Sequence, residues 1–356
     1  MNKEIENFFI KIEEIYLSKK PFVVYRKPNE QIIFAYMQTT DELFELDSFK
    51  QTGFIFAPFE NNEKRVIFPI EKSVTFSVKI NNDIVIGTSN SLKKLSIVSD
   101  EKLKEKHIVL VEKGVEYIKN KNAQKIVLSR KEKIEYTDFD VVHTLKKMLD
   151  TYKNAFVYLW YHPKVGLWMG ATPERLINIT KNQFKTIALA GTQKYIGTTN
   201  VIWEQKEKQE QQFVTDFILE NLKTTVAITK VSEPYTVKAG NLVHIRTDIF
   251  GKLKSLDLLE NLINSLHPTP AVCGLPKKVV TKFILENEGY SRAYYSGYLG
   301  ELNVDNSTNL FVNLRCMNID KKCINLFIGG GITIDSNPVK EWEETVSKAQ
   351  IMKSIL

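Results

Sequence analysis

Short runs rich in β-branched and aromatic residues recur along the chain, at 22–25, 31–36, 53–56, 66–68, 125–128, 156–160 and 325–328. Runs of this length and composition predict strands. Between them, residues 1–18, 140–152, 204–222, 256–266, 276–288 and 338–354 space their apolar side chains three and four apart, which predicts helices. The strands come in groups instead of alternating strictly with helices, so the pattern predicts an α+β fold whose sheets are mainly antiparallel.

The last helix has the plainest start signal. Ser336 or Asn337 is placed to cap it, Pro338 fits its first position, and Glu341, Glu343 and Glu344 occupy its early turns. In that register Trp342, Val346, Ala349 and Met352 form an apolar stripe, while Glu341, Glu344 and Lys348 share another. The helix at 204–222 repeats the device, with Glu207 and Glu210 three apart ahead of Phe213, Val214, Phe217 and Ile218. Four carboxylates facing one another across a cleft would repel unless a hard cation neutralised them, and all-oxygen ligation suits Mg²⁺. Two solvated helix faces, favoured by the macrodipole and by the Glu344–Lys348 spacing, fit the same letters.

Three glycine clusters are candidate anion-binding backbones: Trp168-Met-Gly-Ala-Thr-Pro-Glu-Arg175, Leu189-Ala-Gly-Thr192 and Ile328-Gly-Gly-Gly-Ile332. Tight turns are the competing reading. Dinucleotide, P-loop and Gly-x-Ser-x-Gly fingerprints are missing from the sequence. Of the five histidines none is paired at metal-ligand spacing; His244 and His267 sit at the ends of apolar segments, where a ligand contact and a structural hydrogen bond are equally open.

Composition narrows the classes further. The chain has 356 residues, 43% hydrophobic and 26% charged, enough for a large core and against disorder. No apolar stretch is long enough for a membrane helix, and the N-terminal segment has acidic residues where a signal peptide would be apolar. Three cysteines without C-x-x-C spacing argue against a disulfide framework and point to a reducing cytoplasm. The net charge of +7 invites a nucleic-acid reading, but Lys and Glu are interleaved, as in Glu101-Lys-Leu-Lys-Glu-Lys106, which is the pattern of solvated faces. A field that steers a small anion is the reading retained.

Taken in order, these segments resemble the chorismate-utilising enzymes, the group that contains isochorismate synthase, salicylate synthase, anthranilate synthase component I and aminodeoxychorismate synthase. The segments are Lys125-Ile-Val-Leu-Ser-Arg130, Gly170-Ala-Thr-Pro-Glu-Arg175, Leu189-Ala-Gly-Thr192, Glu207-x-x-Glu210, His244-Ile-Arg-Thr-Asp-Ile-Phe-Gly251, Leu266-His-Pro-Thr-Pro-Ala-Val272, Tyr295-Ser-Gly-Tyr298, Leu314-Arg315 and Gly329-Gly-Gly-Ile332, followed by Pro338-x-x-Glu341-x-x-Glu344 and Lys348. The resemblance implies one chorismate-binding domain over 1–356, a large two-sheet core with helices packed outside. Residues 1–110 would be its variable strand-rich part and 110–356 would carry the motifs.

Residue by residue, the resemblance implies that Lys125 is the general base that activates water for attack at C2 of chorismate, and Glu174 the acid that protonates the departing C4 hydroxyl. Glu210 and Glu344 match Mg²⁺ ligands, and Glu207 and Glu341 match carboxylates that reach the ion through water. Arg315 and Gly329, Gly330 and Gly331 match the groups that hold the enolpyruvyl carboxylate. Gly191, Thr192, His244 and Tyr298 line the site, with Lys348 beside the metal carboxylates. Lys125 favours water over ammonia as nucleophile, and Ala190 stands where lysine-nucleophile relatives carry their lysine. Isochorismate is therefore the expected product, for menaquinone or siderophore synthesis. Salicylate, formed by further loss of pyruvate, is the second expectation, and a non-catalytic basic binding protein a remote one. Gln211 and Cys273 depart from the residues common in relatives, His and Gly. No amidotransferase subunit is expected, and a monomer is.

Overall fold

The computed structural model describes residues 3–80, 96–97, 101–136, 138–239 and 242–356. The seven expected strand runs all form strands, and they join others into two antiparallel sheets. Strands are numbered in chain order. The first sheet runs β15 (Gly274–Leu275), β7 (Lys125–Glu135), β19 (Cys323–Ile332), β18 (Cys316–Ile319), β9 (Gly166–Thr172), β8 (Phe156–His162), β1 (Phe22–Arg26), β2 (Ile32–Gln38) and β5 (Ser73–Lys79), with β6 (Ser96–Ile97) also on β7. The second runs β12 (Val226–Val231), β14 (Leu242–Leu253), β11 (Gln183–Lys194), β10 (Arg175–Thr180), β17 (Ser307–Val312), β16 (Tyr298–Val304), β3 (Gly53–Ala57) and β4 (Val66–Pro69), with β13 (Tyr235–Ala239) on β14.

An aromatic layer packs the sheets face to face. Phe56 stands 4.8 Å from Trp160, and Phe156 lies 4.3 Å from Phe311 in near-parallel stacking. Such rings bury much apolar area each and contribute about 0.5–1.5 kcal/mol per pair beyond it. Helices cover the outer faces. α1 (Lys3–Leu17), α3 (Val141–Thr151) and α7 (Pro338–Lys353) bury Phe9, Ile12, Leu145, Leu149 and Met352 against the first sheet. α4 (Gln205–Leu222) and α5 (Leu259–Leu266) bury Val214, Ile218 and Ile263 against the second. α2 (Glu101–Lys119) and α6 (Lys277–Asn287) close over the β7 side with Val111, Val115 and Ile284.

Three differences from the sequence reading have physical causes. The interleaved charges at 101–106 open a full helix, α2, because Leu110, Val111, Val115 and Ile118 supply a buried stripe farther along. On α7 the inward stripe is Thr345, Ala349 and Met352, and Val346 is exposed, because the stripe at one turn is set by the strand beneath. On α4 Phe213 is likewise exposed, and Gln211 is buried instead, its amide donating to Thr247 Oγ1 at 2.6 Å and Thr215 Oγ1 at 2.9 Å. Asn337, the second of the two cap candidates, caps α7 by accepting from the N–H groups of Val339 and Lys340. The first two residues of the expected N-terminal helix lie outside the described residues.

Candidate active site

Glycine is a poor strand residue, so its presence in a strand interior marks a close approach. Gly329, Gly330 and Gly331 lie within β19, paired with Ser129, Leu128 and Val127 of β7, and do not form a turn. A Cβ on Gly331 would stand 2.9 Å from Lys125 Cε, one on Gly330 3.5 Å from Glu341 Oε2, and one on Gly329 2.7 Å from the Tyr295 hydroxyl. The glycine run thus makes room for the lysine arm and for α7 at one place. The cluster at Gly170 differs: its missing side chain leaves space for the Tyr158 ring, a packing role.

The third cluster is a bulge. β11 slips register against β14 between Ala190 and Thr192, and Gly191 takes φ +70°, a left-handed conformation that glycine adopts freely. A Cβ there would sit 3.1 Å from Glu207 Cβ, so the bulge lets α4 close on the strand. The bulge also turns the Gly191 carbonyl to His244, whose Nδ1 lies 3.0 Å away, with Thr192 Oγ1 at 3.1 Å. With the proton on Nδ1, Nε2 keeps its lone pair. Burial holds His244 below its ordinary pKa; Gly191 and Glu210 push the other way, while Arg315 and Lys348 add to the lowering. One histidine therefore reports that Glu210, Arg315 and Lys348, from three different elements, converge on it.

Lys125, first residue of β7, donates to Glu210 Oε1 at 2.5 Å. Glu174, in the β9–β10 connection, is pushed up to about 7 by burial, against the lowering effects of the Thr269 hydroxyl and of Lys125. Glu174 lines a cavity together with Leu176, Val214, Phe217, Leu266 and Pro270, and with Arg175, Thr186 and Thr269, a mostly apolar surrounding that disfavours the charged carboxylate. Lys125 thus lies within electrostatic reach of a protonatable carboxyl from a distant part of the chain. On α7, Lys348 lies 2.6 Å from Glu344 and donates to the Gly329 carbonyl at 3.2 Å. Glu341 accepts from Ser336 Oγ at 2.7 Å; burial and the neighbouring Glu344 raise its pKa. Arg315, in a left-handed conformation at φ 47° ahead of β18, is lowered by burial.

The two carboxylate-bearing helices expected from the sequence are both present, as α4 and α7. Among the described residues no three carboxylate, histidine or cysteine side chains are grouped to hold an ion. Glu210 and Glu344 each bind a lysine instead, the arrangement that relieves carboxylate repulsion without a cation. The donor set still fits Mg²⁺ in kind: four carboxylates, of which Glu207 carries a buried Oε2 with no partner and Glu341 a pKa raised by burial and by the like charge of Glu344.

Two candidates are placed elsewhere. Tyr298 has no exposed surface; it belongs to the core of the second sheet with its ring 4.8 Å from His267, so it is a packing residue and not a substrate contact. His267 is fully buried with Nε2 on the carbonyls of Pro58 and Phe59 and a pKa lowered to about 3, which makes it structural. The segment that contains it does reach the site, through Thr269 beside Glu174. A small polar residue between two prolines was the signal available for it. Among the departures, Cys273 is buried, its Sγ 3.2 Å from Thr281 Oγ1.

The model of the chorismate binding enzyme family matches residues 69–356. The chain belongs to that family. It is 29% identical to the isochorismate synthase EntC of Escherichia coli K12 over 199 residues, 53% of this chain and 51% of that protein. To the isochorismate synthase MenF of Bacillus subtilis it is 28% identical over 269 residues, 72% of this chain and 57% of that protein. The match thus spans little more than half the length of these relatives. The solved structure of the menaquinone-specific isochorismate synthase MenF from E. coli superposes with a TM-score of 0.79 at 19% identity, over 94% of this chain and 88% of that one, and shows the shared fold. Among the described residues no helix is long and apolar enough to cross a membrane.

Proposed function

We propose that this chain converts chorismate to isochorismate, adding water at C2 and expelling the C4 hydroxyl. The observation that carries the reading is a buried carboxyl, Glu174, whose pKa is pushed up to about 7 within electrostatic reach of Lys125. A hydroxyl leaves a conjugated ring readily only when a proton reaches it, and water attacks only when a proton is taken away, so an acid and a base on either side of the ring suffice. Glu174, protonated near neutral pH, donates to the C4 oxygen. Lys125, once released from Glu210, accepts from water. Arg315 and the backbone of Gly329, Gly330 and Gly331 hold the enolpyruvyl carboxylate, and His244 and Thr192 orient the ring. Glu210 and Glu344, with Glu207 and Glu341 behind them, would hold Mg²⁺, which anchors the ring carboxylate and withdraws charge as the nucleophile adds.

The relatives named isochorismate synthase support this choice over amination, as does Ala190, which leaves no lysine for a covalent adduct there. The test is chromatography of the products from chorismate and Mg²⁺, with and without ammonium. Isochorismate is expected in both. Salicylate, or an aminated ring that forms with ammonium, would replace the reading, and no turnover would end it.

A further inference from the structure

β7 carries Lys125 at its start, and its outer edge is paired only briefly. β15 pairs with Lys125 and Ile126, and the Val127 N–H donates to the Cys273 carbonyl at 2.8 Å. Beyond that point, before β6 pairs at Ile134 and Glu135, side chains replace a strand. Arg292 Nη2 donates to the Val127 carbonyl at 2.7 Å, and the Ser129 N–H donates to Glu288 Oε1 at 2.7 Å. Arg292 and Glu288 are themselves an ion pair at 2.5 Å, with side chains 2% and 1% exposed. The other nitrogen of the same guanidinium, Nη1, donates to the Val272 carbonyl at 2.9 Å. Val272 ends a turn whose N–H bonds return to Thr269, the residue beside Glu174. One planar fork therefore touches both the strand that holds the amine and the turn that abuts the acid.

A buried ion pair is weak evidence for stability, because desolvating two charges offsets their attraction. What this one supplies is geometry: a guanidinium presents its donors in a fixed plane, which an ammonium cannot do. We propose that Arg292, aimed by Glu288, is a positioning residue that sets the distance between Lys125 and Glu174 by clamping the turn 269–272 to β7. The proposal rests on the reading of Lys125 and Glu174 as base and acid. It assigns neither Arg292 nor Glu288 any contact with substrate.

Arg292→Lys keeps the charge and loses the fork. The expected result is a fall in kcat for chorismate of about a hundredfold, the scale that a small misplacement of reacting groups costs. Chorismate should still bind, by calorimetry with Mg²⁺, at one per chain and with unchanged Kd, because the carboxylate-holding groups are untouched. Glu288→Gln, which keeps an oxygen for Ser129, should show the same split more weakly. Glu301→Gln breaks a less buried ion pair between Lys27, just after β1, and Glu301 of β16, and should leave kcat unchanged. Unchanged kcat in a folded Arg292→Lys protein, or kcat and binding stoichiometry falling together as folded protein is lost, overturns the proposal. If the wild type does not consume chorismate, the functional reading fails separately, and hydrogen exchange then decides about the clamp. Arg292→Lys must speed exchange in 269–273 and 125–129 together; a change confined to α6 overturns it.

Discussion

At Glu174, burial outweighs both the hydroxyl and the amine that favour ionisation, and this sets two pH trends. As an acid it works only while protonated, so turnover of chorismate is expected to fall tenfold per unit above pH about 7. As a buried group it binds a proton in the folded state at pH values where the unfolded chain has lost it. Stability therefore declines as pH rises from the ordinary 4.5 to about 7 and is level beyond. Glu174→Gln should abolish turnover yet gain in melting temperature relative to the wild type between pH 5 and 8 by calorimetry; a constant difference refutes the assignment. Gly331→Ala tests the other partner. The added methyl meets Lys125 Cε at 2.9 Å, so kcat should drop at least about tenfold in a folded protein, and unchanged kcat would show that the arm's path is immaterial. Residue identities of this kind were legible in the order of the motifs. Local pattern alone did not separate the two histidines at the ends of apolar segments; the motif order pointed to His244, and the carbonyls of Pro58 and Phe59 fix His267 inside. Tyr298 failed for a similar reason: a tyrosine beside glycine reads alike in a core and in a pocket.

The two carboxylate-bearing helices were legible as elements, from caps and spacing, while what each of them packs against was not. Periodicity describes one helix at a time, and the contact between Lys125 and Glu210 joins segments that no local pattern connects. The Gly191 bulge is the local cause of α4's approach, and its sequence signal, one glycine in a polar-flanked strand, is also that of a turn. Since Lys348 neutralises Glu344, the lysine competes with any cation there. The pair is half exposed, so its strength is at most about 1 kcal/mol. Lys348→Met should accordingly tighten Mg²⁺ binding by up to about fivefold in calorimetry without substrate. Weaker or equal binding would mean that Lys348 is no competitor. α2 shows the converse limit of element reading: its charged opening hid a buried stripe that begins one turn later.

For the molecule as a whole, strand grouping was enough to predict antiparallel sheets, because hairpin neighbours such as β8 and β9 pair in sequence order. The partners of β7 and β19 are distant in sequence, and their pairing places the glycines against Lys125. The family match begins at residue 69, but the sheets do not respect that boundary. β1 lies between β8 and β2 in the interior of the first sheet, and β3 bridges β16 and β4 in the second. Cutting the chain at residue 69 would strip each ladder of two members, β1 and β2 from one and β3 and β4 from the other, bare the backbone donors of β8 and β16, and expose the aromatic layer through Phe156 and Trp160. Such a fragment should aggregate on expression, and a soluble, cooperatively melting one would contradict this. The first seventy residues are thus no detachable ornament: they run through both sheets as warp threads, and the cloth keeps its weave only with them in place.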